Sequence, residues 1–104
     1  MTIQFNSDSK LTVHENFKIK LTDLLLKELK RYSDQLTLLK VYLSDEHGKE
    51  NVLNNKSCLL EAHIKGRQPI ASTSGQSTHE LAVKEASGKL KSSLEKIFSK
   101  MQRH

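Results

Sequence analysis

The stretch Ser77–His104 reads STHELAVKEASGKLKSSLEKIFSKMQRH, and its periodicity decides the fold. It holds no proline and a single glycine, and at about 3.6 residues per turn it spans roughly seven helical turns. Ala82, Val83, Ala86, Leu90, Leu94, Ile97 and Met101 recur at steps of three and four, which gathers them into one apolar stripe. An advance of about 100° per residue sets Lys89, Lys96, Lys100 and Arg103 along one edge of that stripe, with Glu85 as its one acid. Glu80 and Glu95 fall on the opposite flank beside Lys84 and Lys91. An amphipathic helix of this length needs a surface to cover, so the rest of the chain must supply a sheet or a helical partner.

Working back along the chain, Ser57 to Ile64 alternates, with Cys58, Leu60, Ala62 and Ile64 on one face, the period of a half-buried strand. Lys65-Gly66-Arg67 is a hairpin turn in which glycine supplies a positive φ. Gln68 to Ser74 is the return strand, with Ile70 and Ser72 on one face and Pro69 at its start, where proline does least harm. Ser74-Gly75-Gln76-Ser77 breaks the chain, and Ser77 or Thr78 caps the last helix. Ser77 has Glu80 three positions on, the capping-box spacing. Leu36 to Ser44 is an earlier strand, Leu39, Val41 and Leu43 inward and Lys40 and Tyr42 outward. Asp45 to Lys56 is a long polar loop by hairpin standards.

The N-terminal part adds a strand and a helix. Thr2 to Phe5 alternates with Ile3 and Phe5 on one side, Asn6 to Lys10 is polar loop, and Leu11-Thr12-Val13 is a brief extended turn. His14 to about Asp34 is helical, with Phe17, Leu21, Leu24, Leu25, Leu29 and Tyr32 as its stripe. Ile19 and Leu26 fall off the stripe, while Lys20, Lys27 and Arg31 share one edge with Asp23 and Glu28 interspersed. The order is therefore β-α-β-β-β-α, an α+β domain in which three consecutive strands form an antiparallel meander and two helices cover one face. The first strand joins through the helical crossover. The other face stays open, so Lys40, Tyr42, Glu61 and His63 are acceptable there.

With 104 residues, the expectation is a single small domain over 1–104. Net charge is +5 and the sequence pI about 9.4, which favours an anionic partner. Residues 1–52 carry eight basic and eight acidic residues, whereas 53–104 carry nine and four. All the excess charge therefore lies in the second half, concentrated on the last helix. Cys58 is the single cysteine, which rules out an intrachain disulfide and suits a reducing compartment. Met1 to Lys10 has neither the basic nor the apolar region of a signal peptide, and no apolar run approaches the ~18 residues of a membrane span. A cytoplasmic protein is expected.

Catalytic chemistry is poorly supplied. His14, His47, His63, His79 and His104 are scattered and never pair at metal-ligand spacing. His63 and His79 read most simply as surface residues, and Cys58, inward on an alternating strand, as a buried inert thiol. There is no phosphate-binding glycine loop and no nucleophile elbow. The expectation is a non-enzyme with no cofactor and no metal. With no tryptophan, and Tyr42 the one aromatic directed off the open sheet face, base stacking on that face is not expected either.

The element order, the opening Met1-Thr2-Ile3-Gln4, the helix His14–Tyr32 running into Ser33-Asp34-Gln35, and the strand Leu39–Leu43 resemble the ribosome hibernation promoting factor and ribosome-associated inhibitor A family. Glu80-Leu81-Ala82-Val83 through Lys89-Leu90-Lys91-Ser92-Ser93-Leu94 resembles that family's closing helix, so the likeness covers about residues 1–100. The fold is also similar to a double-stranded RNA-binding domain, although the leading strand departs from that plan. The resemblance implies a short form without the C-terminal dimerisation domain of the family's long members. It implies a stress-linked factor seated between head and body of the small ribosomal subunit. There the basic edges of both helices contact ribosomal RNA and the protein obstructs the messenger and transfer RNA sites. The implied RNA-binding residues are Lys89, Lys96, Lys100, Arg103, Lys20, Lys27, Arg31 and Lys91. Lys89 matches the lysine of the family's Lys-Leu-x-Arg-Gln-Leu segment; Ser92 and Ser93 stand where that segment has arginine and glutamine, with Lys91 and Lys96 to compensate. The implied partner is the small subunit and its RNA, with no membrane and no small-molecule substrate, the protein being monomeric off the ribosome. The competing expectation is a protein-interaction module whose basic edge meets an acidic protein surface, or a general structured-RNA-binding domain.

Overall fold

A computed structural model describes residues 1–7, 13–45 and 56–102, with side chains through Ser99. The elements are β1 (Thr2–Ser7), α1 (Glu15–Leu29), a 3-10 turn (Lys30–Tyr32), β2 (Leu36–Asp45), β3 (Lys56–Ile64), β4 (Ile70–Gln76) and α2 (His79–Gln102). The strands form one sheet in the order β1-β2-β3-β4, β1 parallel to β2 and the other two pairs antiparallel. This is the expected α+β architecture, a meander extended by a strand that arrives through a helical crossover.

Register explains how the sheet sorts its side chains. On one face Ile3, Leu39, Ala62 and Ile70 lie side by side across the four strands, and so do Phe5, Val41, Leu60 and Ser72. The helices cover this face. Leu21, Leu25 and Leu29 of α1 and Ala82, Val83, Ala86, Leu90 and Leu94 of α2 are buried in one core with these sheet residues, as both stripes predict. Full burial of a leucine stabilises by about 1.5–3 kcal/mol, so this layer is what holds the helices down. The other face carries the rows Gln4-Lys40-Glu61-Ala71 and Asn6-Tyr42-Leu59-Thr73. No helix covers it among the described residues, and its His63 Nε2–H donates to Glu61 Oε1 at 2.6 Å.

Several boundaries differ from the sequence reading, each because a tertiary partner overrides local pattern. β1 runs on through Asn6 and Ser7, which pair with Tyr42 and Leu43. The first helix ends at Leu29 and tightens into the 3-10 turn, which carries Tyr32 to a buried position. The return strand runs from Ile70 to Gln76, two residues later than its composition suggested, because Gly75 and Gln76 continue the ladder opposite Ser57 and Lys56. A register shift between Leu36 and Leu38 lets Leu36 and Leu39 both turn inward despite odd spacing. Gly66 takes φ +69° in the β3–β4 turn, as its position required. Thr78 caps α2, its Oγ1 accepting from the Leu81 N–H at 3.1 Å. Glu80 pairs with Lys20 rather than serving Ser77. The loop Asp45–Lys56 falls outside the described residues between its ends, as do Asp8 to Thr12.

Candidate nucleic-acid interface

The basic residues divide between two places on the helix layer, which follow from how α2 is wedged. On one side, α2 is tied to β4. Ser72 Oγ donates to the Ala86 carbonyl at 2.7 Å, Ser74 Oγ donates to Glu85 Oε1 at 2.6 Å, and Gln76 Nε2 donates to Glu85 Oε2 at 2.7 Å. Lys89 Nζ donates to the Thr73 carbonyl at 2.9 Å and lies 3.7 Å from Glu85 Oε1. The edge that carries Lys89 and Lys96 therefore looks over β4. The Ser74 hydrogen bond, joined by Gln76 and the Lys89 charge, holds the Glu85 carboxyl below its ordinary value against a smaller opposing effect of burial. The basic edge is thus counter-charged at Lys89 by Glu85, the one acid the helical period sets on it. Lys96 is exposed on the same edge. The Lys100 side chain and Arg103 lie outside the described residues.

On the other side, α2 lies against α1. Lys20 Nζ meets Glu80 Oε2 at 3.1 Å near the start of both helices. Tyr32 and Phe98 stack near their ends, centroids 5.6 Å apart and planes at 17°. The two helices therefore run side by side in the same direction. Glu80 and Phe98 mark the flank of α2 that faces α1, and the helical period puts Ser87, Lys84 and Lys91 on or beside that flank. Ser87 is buried, its hydroxyl donating to the Lys84 carbonyl at 2.9 Å, so a small side chain sits where the helices meet. On α1, Lys20 faces the same seam, and Lys27 follows it on the exposed edge seven residues on. Arg31 closes it from the 3-10 turn, its guanidinium 5.9 Å from the Tyr32 ring centroid. Lys20 thus meets α2 at Glu80 and Arg31 lies by the Tyr32 ring, while the helical period sets Lys27 on the Lys20 edge of α1 and Lys91 on the Glu80–Phe98 flank of α2, across the crest from Lys89 and Lys96.

Sequence reasoning missed the Glu85 network because its partners Ser74 and Gln76 come from another element; the i,i+4 spacing of Glu85 and Lys89 was the available signal. In the sequence His79 reads as a surface residue. Its side chain is 12% exposed, with Nε2 3.1 Å from the Ser44 carbonyl and 3.2 Å from Asp45 Oδ1. Lys56 Nζ reaches the same carboxylate at 3.1 Å, so the group ties the start of α2 to the end of the β2–β3 pair. Cys58 is buried, and burial pushes its thiol up to about 12. Among the described residues no group of three His, Cys, Asp or Glu could hold a metal ion. No helix among them is long and apolar enough to cross a membrane.

No protein-family model and no curated protein sequence matches the chain. Solved structures do match. A ribosomal subunit interface protein from Coxiella burnetii superposes with TM-score 0.77 at 16% identity, over 95% of this chain and 99% of the other. The N-terminal domain of Thermus thermophilus Protein Y superposes with TM-score 0.73 at 16% identity, over 93% of this chain and 99% of the other. At that identity the likeness is one of fold, and the fold extends across nearly the whole of all three chains.

Proposed function

We propose that this chain belongs to the ribosome hibernation promoting factor and ribosome-associated inhibitor A family. It acts as a translation inhibitor on the small ribosomal subunit, contacting ribosomal RNA and obstructing the messenger and transfer RNA sites under stress. The observation that carries this reading is a conjunction. The fold is shared over 95% of this chain with a ribosomal subunit interface protein, and Lys20, Lys27, Arg31, Lys91 and Lys96 stand on the helix layer of that same fold with surface reaching solvent. Such a surface reads phosphates rather than bases. Each lysine or arginine that reaches a phosphate releases condensed counterions, which gives affinity without sequence reading and a steep salt dependence.

The crest of α2 gives the contact its shape. Gly88 and Ser92 lie between the two basic flanks, so an RNA backbone laid across them reaches Lys91 with Lys20, Lys27 and Arg31 on one side and Lys96 on the other. No catalysis is needed for this role; occupation of the site is the activity. The protein would work in the cytoplasm and be monomeric until it meets the ribosome. Sedimentation of the chain with purified bacterial small and large ribosomal subunits tests the reading. Association with small subunits that is lost on raising salt from about 0.05 to 0.2 M supports it. No association with small subunits at low salt, or equal association with large ones, refutes it. Nuclease-resistant capture of a free acidic protein would instead favour a protein-interaction module.

A further inference from the structure

The most tightly organised charged group on the helix layer is Glu85, and its surroundings do not look like those of an incidental surface acid. Both carboxylate oxygens are committed to β4: Oε1 accepts from Ser74 Oγ at 2.6 Å and Oε2 from Gln76 Nε2 at 2.7 Å. Ser74 is itself buried, so the carboxylate is held by a donor that cannot move away. Lys89, one turn along, is held at 2.9 Å by the Thr73 carbonyl with Glu85 Oε1 3.7 Å away. A free surface glutamate would rotate off when a polyanion approached. This one is pinned beside the lysine.

We infer that Glu85 is a built-in competitor of RNA phosphate for Lys89, an internal anion that lowers the affinity of the α2 edge; this rests on the RNA-binding reading above. The Lys89 ammonium has three protons. One goes to the Thr73 carbonyl, and the others face a half-exposed space in which the nearest negative charge is Glu85. A phosphate entering that space gains the attraction of Lys89 and meets the repulsion of a carboxylate less than 4 Å from the same nitrogen. The repulsion offsets a large part of the Lys89 attraction, because it falls only as the inverse of a slightly longer distance. Because hydrogen bonds hold Glu85 below its ordinary value, protonation does not relieve the competition at neutral pH. Lys27, Lys91 and Lys96 carry the contact, Lys20 being paired with Glu80, and Lys89 contributes fully only when Glu85 is discharged or released.

The test measures binding to purified bacterial small ribosomal subunits at several salt concentrations. Glu85→Gln removes the charge and keeps an acceptor for Ser74, and Gln76 can turn its amide to match. It should bind roughly three- to tenfold more tightly than wild type, with a log–log salt slope steeper by about 0.9, one added phosphate contact. Glu61→Gln makes the same charge change on the open face of the sheet, away from the helix layer, and keeps an acceptor for His63; its smaller gain measures the effect of net charge alone. In a Lys89→Gln background the Glu85→Gln gain should vanish, because the competition has lost its object. Gln76→Ala, which frees one carboxylate oxygen and leaves the charge, should give an intermediate gain even if Glu85→Gln folds poorly. Equal gains from Glu85→Gln and Glu61→Gln, or a gain that persists without Lys89, would overturn the inference while wild-type binding stands. Failure of the wild-type chain to bind would instead overturn the RNA-binding reading, and this inference with it.

Discussion

Leu90→Ala is the sharpest test of the architecture, because Leu90 lies mid-helix on α2 and is 0% exposed. The change deletes three carbons. At about 0.8 kcal/mol per buried CH₂, lost transfer alone amounts to about 2.4 kcal/mol. Leu90 shares its core with β-sheet residues held in register, Leu60 and Val41 among them, and such a layer cannot collapse freely into the space. A residual cavity adds about 24 cal/mol per Å³, so the expected total is about 3–4 kcal/mol. Leu81→Ala is the matched control, the same chemical change on the same helix at a residue 45% exposed, and should cost about 1 kcal/mol or less. Urea unfolding followed by far-UV circular dichroism reads both, provided the slope with denaturant is unchanged. A loss below 1 kcal/mol at Leu90, or equal losses at the two positions, would mean that this stripe does not face the sheet, and the two-helix layer would have to be abandoned.

Three further expectations follow from particular groups. Gly88→Ala should stabilise the free protein by up to about 1 kcal/mol, because a Cβ there meets nothing within 4 Å; a melting temperature that falls would contradict it. Cys58, pushed up to about 12 by burial, should react with iodoacetamide at about pH 8 only as fast as the chain unfolds. Fast labelling of the native protein would show that the strand is not packed as described. Glu85 has a folded-state pKa below its ordinary value of 4.5, so its stabilising contribution is complete above that value and is lost as pH falls below it. The stability difference between wild type and Glu85→Gln should therefore shrink from about pH 5 to about pH 3; a difference that grows in acid would reverse the sign of the argument.

The fold was legible in the sequence wherever one element met one partner. The α2 stripe, the alternation of Cys58 through Ile64 and the Gly66 turn each carry their own physical signal, and together they leave few topologies. Boundaries set by a partner were not legible. Ser7 and Gln76 are polar and lie in strands because their neighbours continue the ladder, and Ser74 is buried because Glu85 accepts its hydroxyl proton. The basic residues themselves were visible, but which side of each helix faced which neighbour was not. Helical periodicity put Lys91 opposite Lys89; only the Lys20–Glu80 pair and the Tyr32–Phe98 stack reveal that the Lys91 flank turns toward α1. Similarly, Glu85 was recognisable as an acid on a basic edge, yet its fixation depends on β4 side chains that arrive from elsewhere in the chain.

The central claim is that the helix layer, and not net charge, docks the protein on the small subunit. Its most direct test compares two double charge reversals of equal size by sedimentation with purified bacterial small ribosomal subunits at about 0.1 M salt. Lys27→Glu with Lys91→Glu alters the seam between α1 and α2. Lys18→Glu with Lys40→Glu alters the flank of α1 beside β1 and the open face of the sheet, each away from the seam. Thermal melts establish that both variants are folded. The account predicts that the seam pair abolishes association and that the distant pair retains most of it, whereas equal losses from the two pairs would show that only total charge matters and would contradict the docking surface.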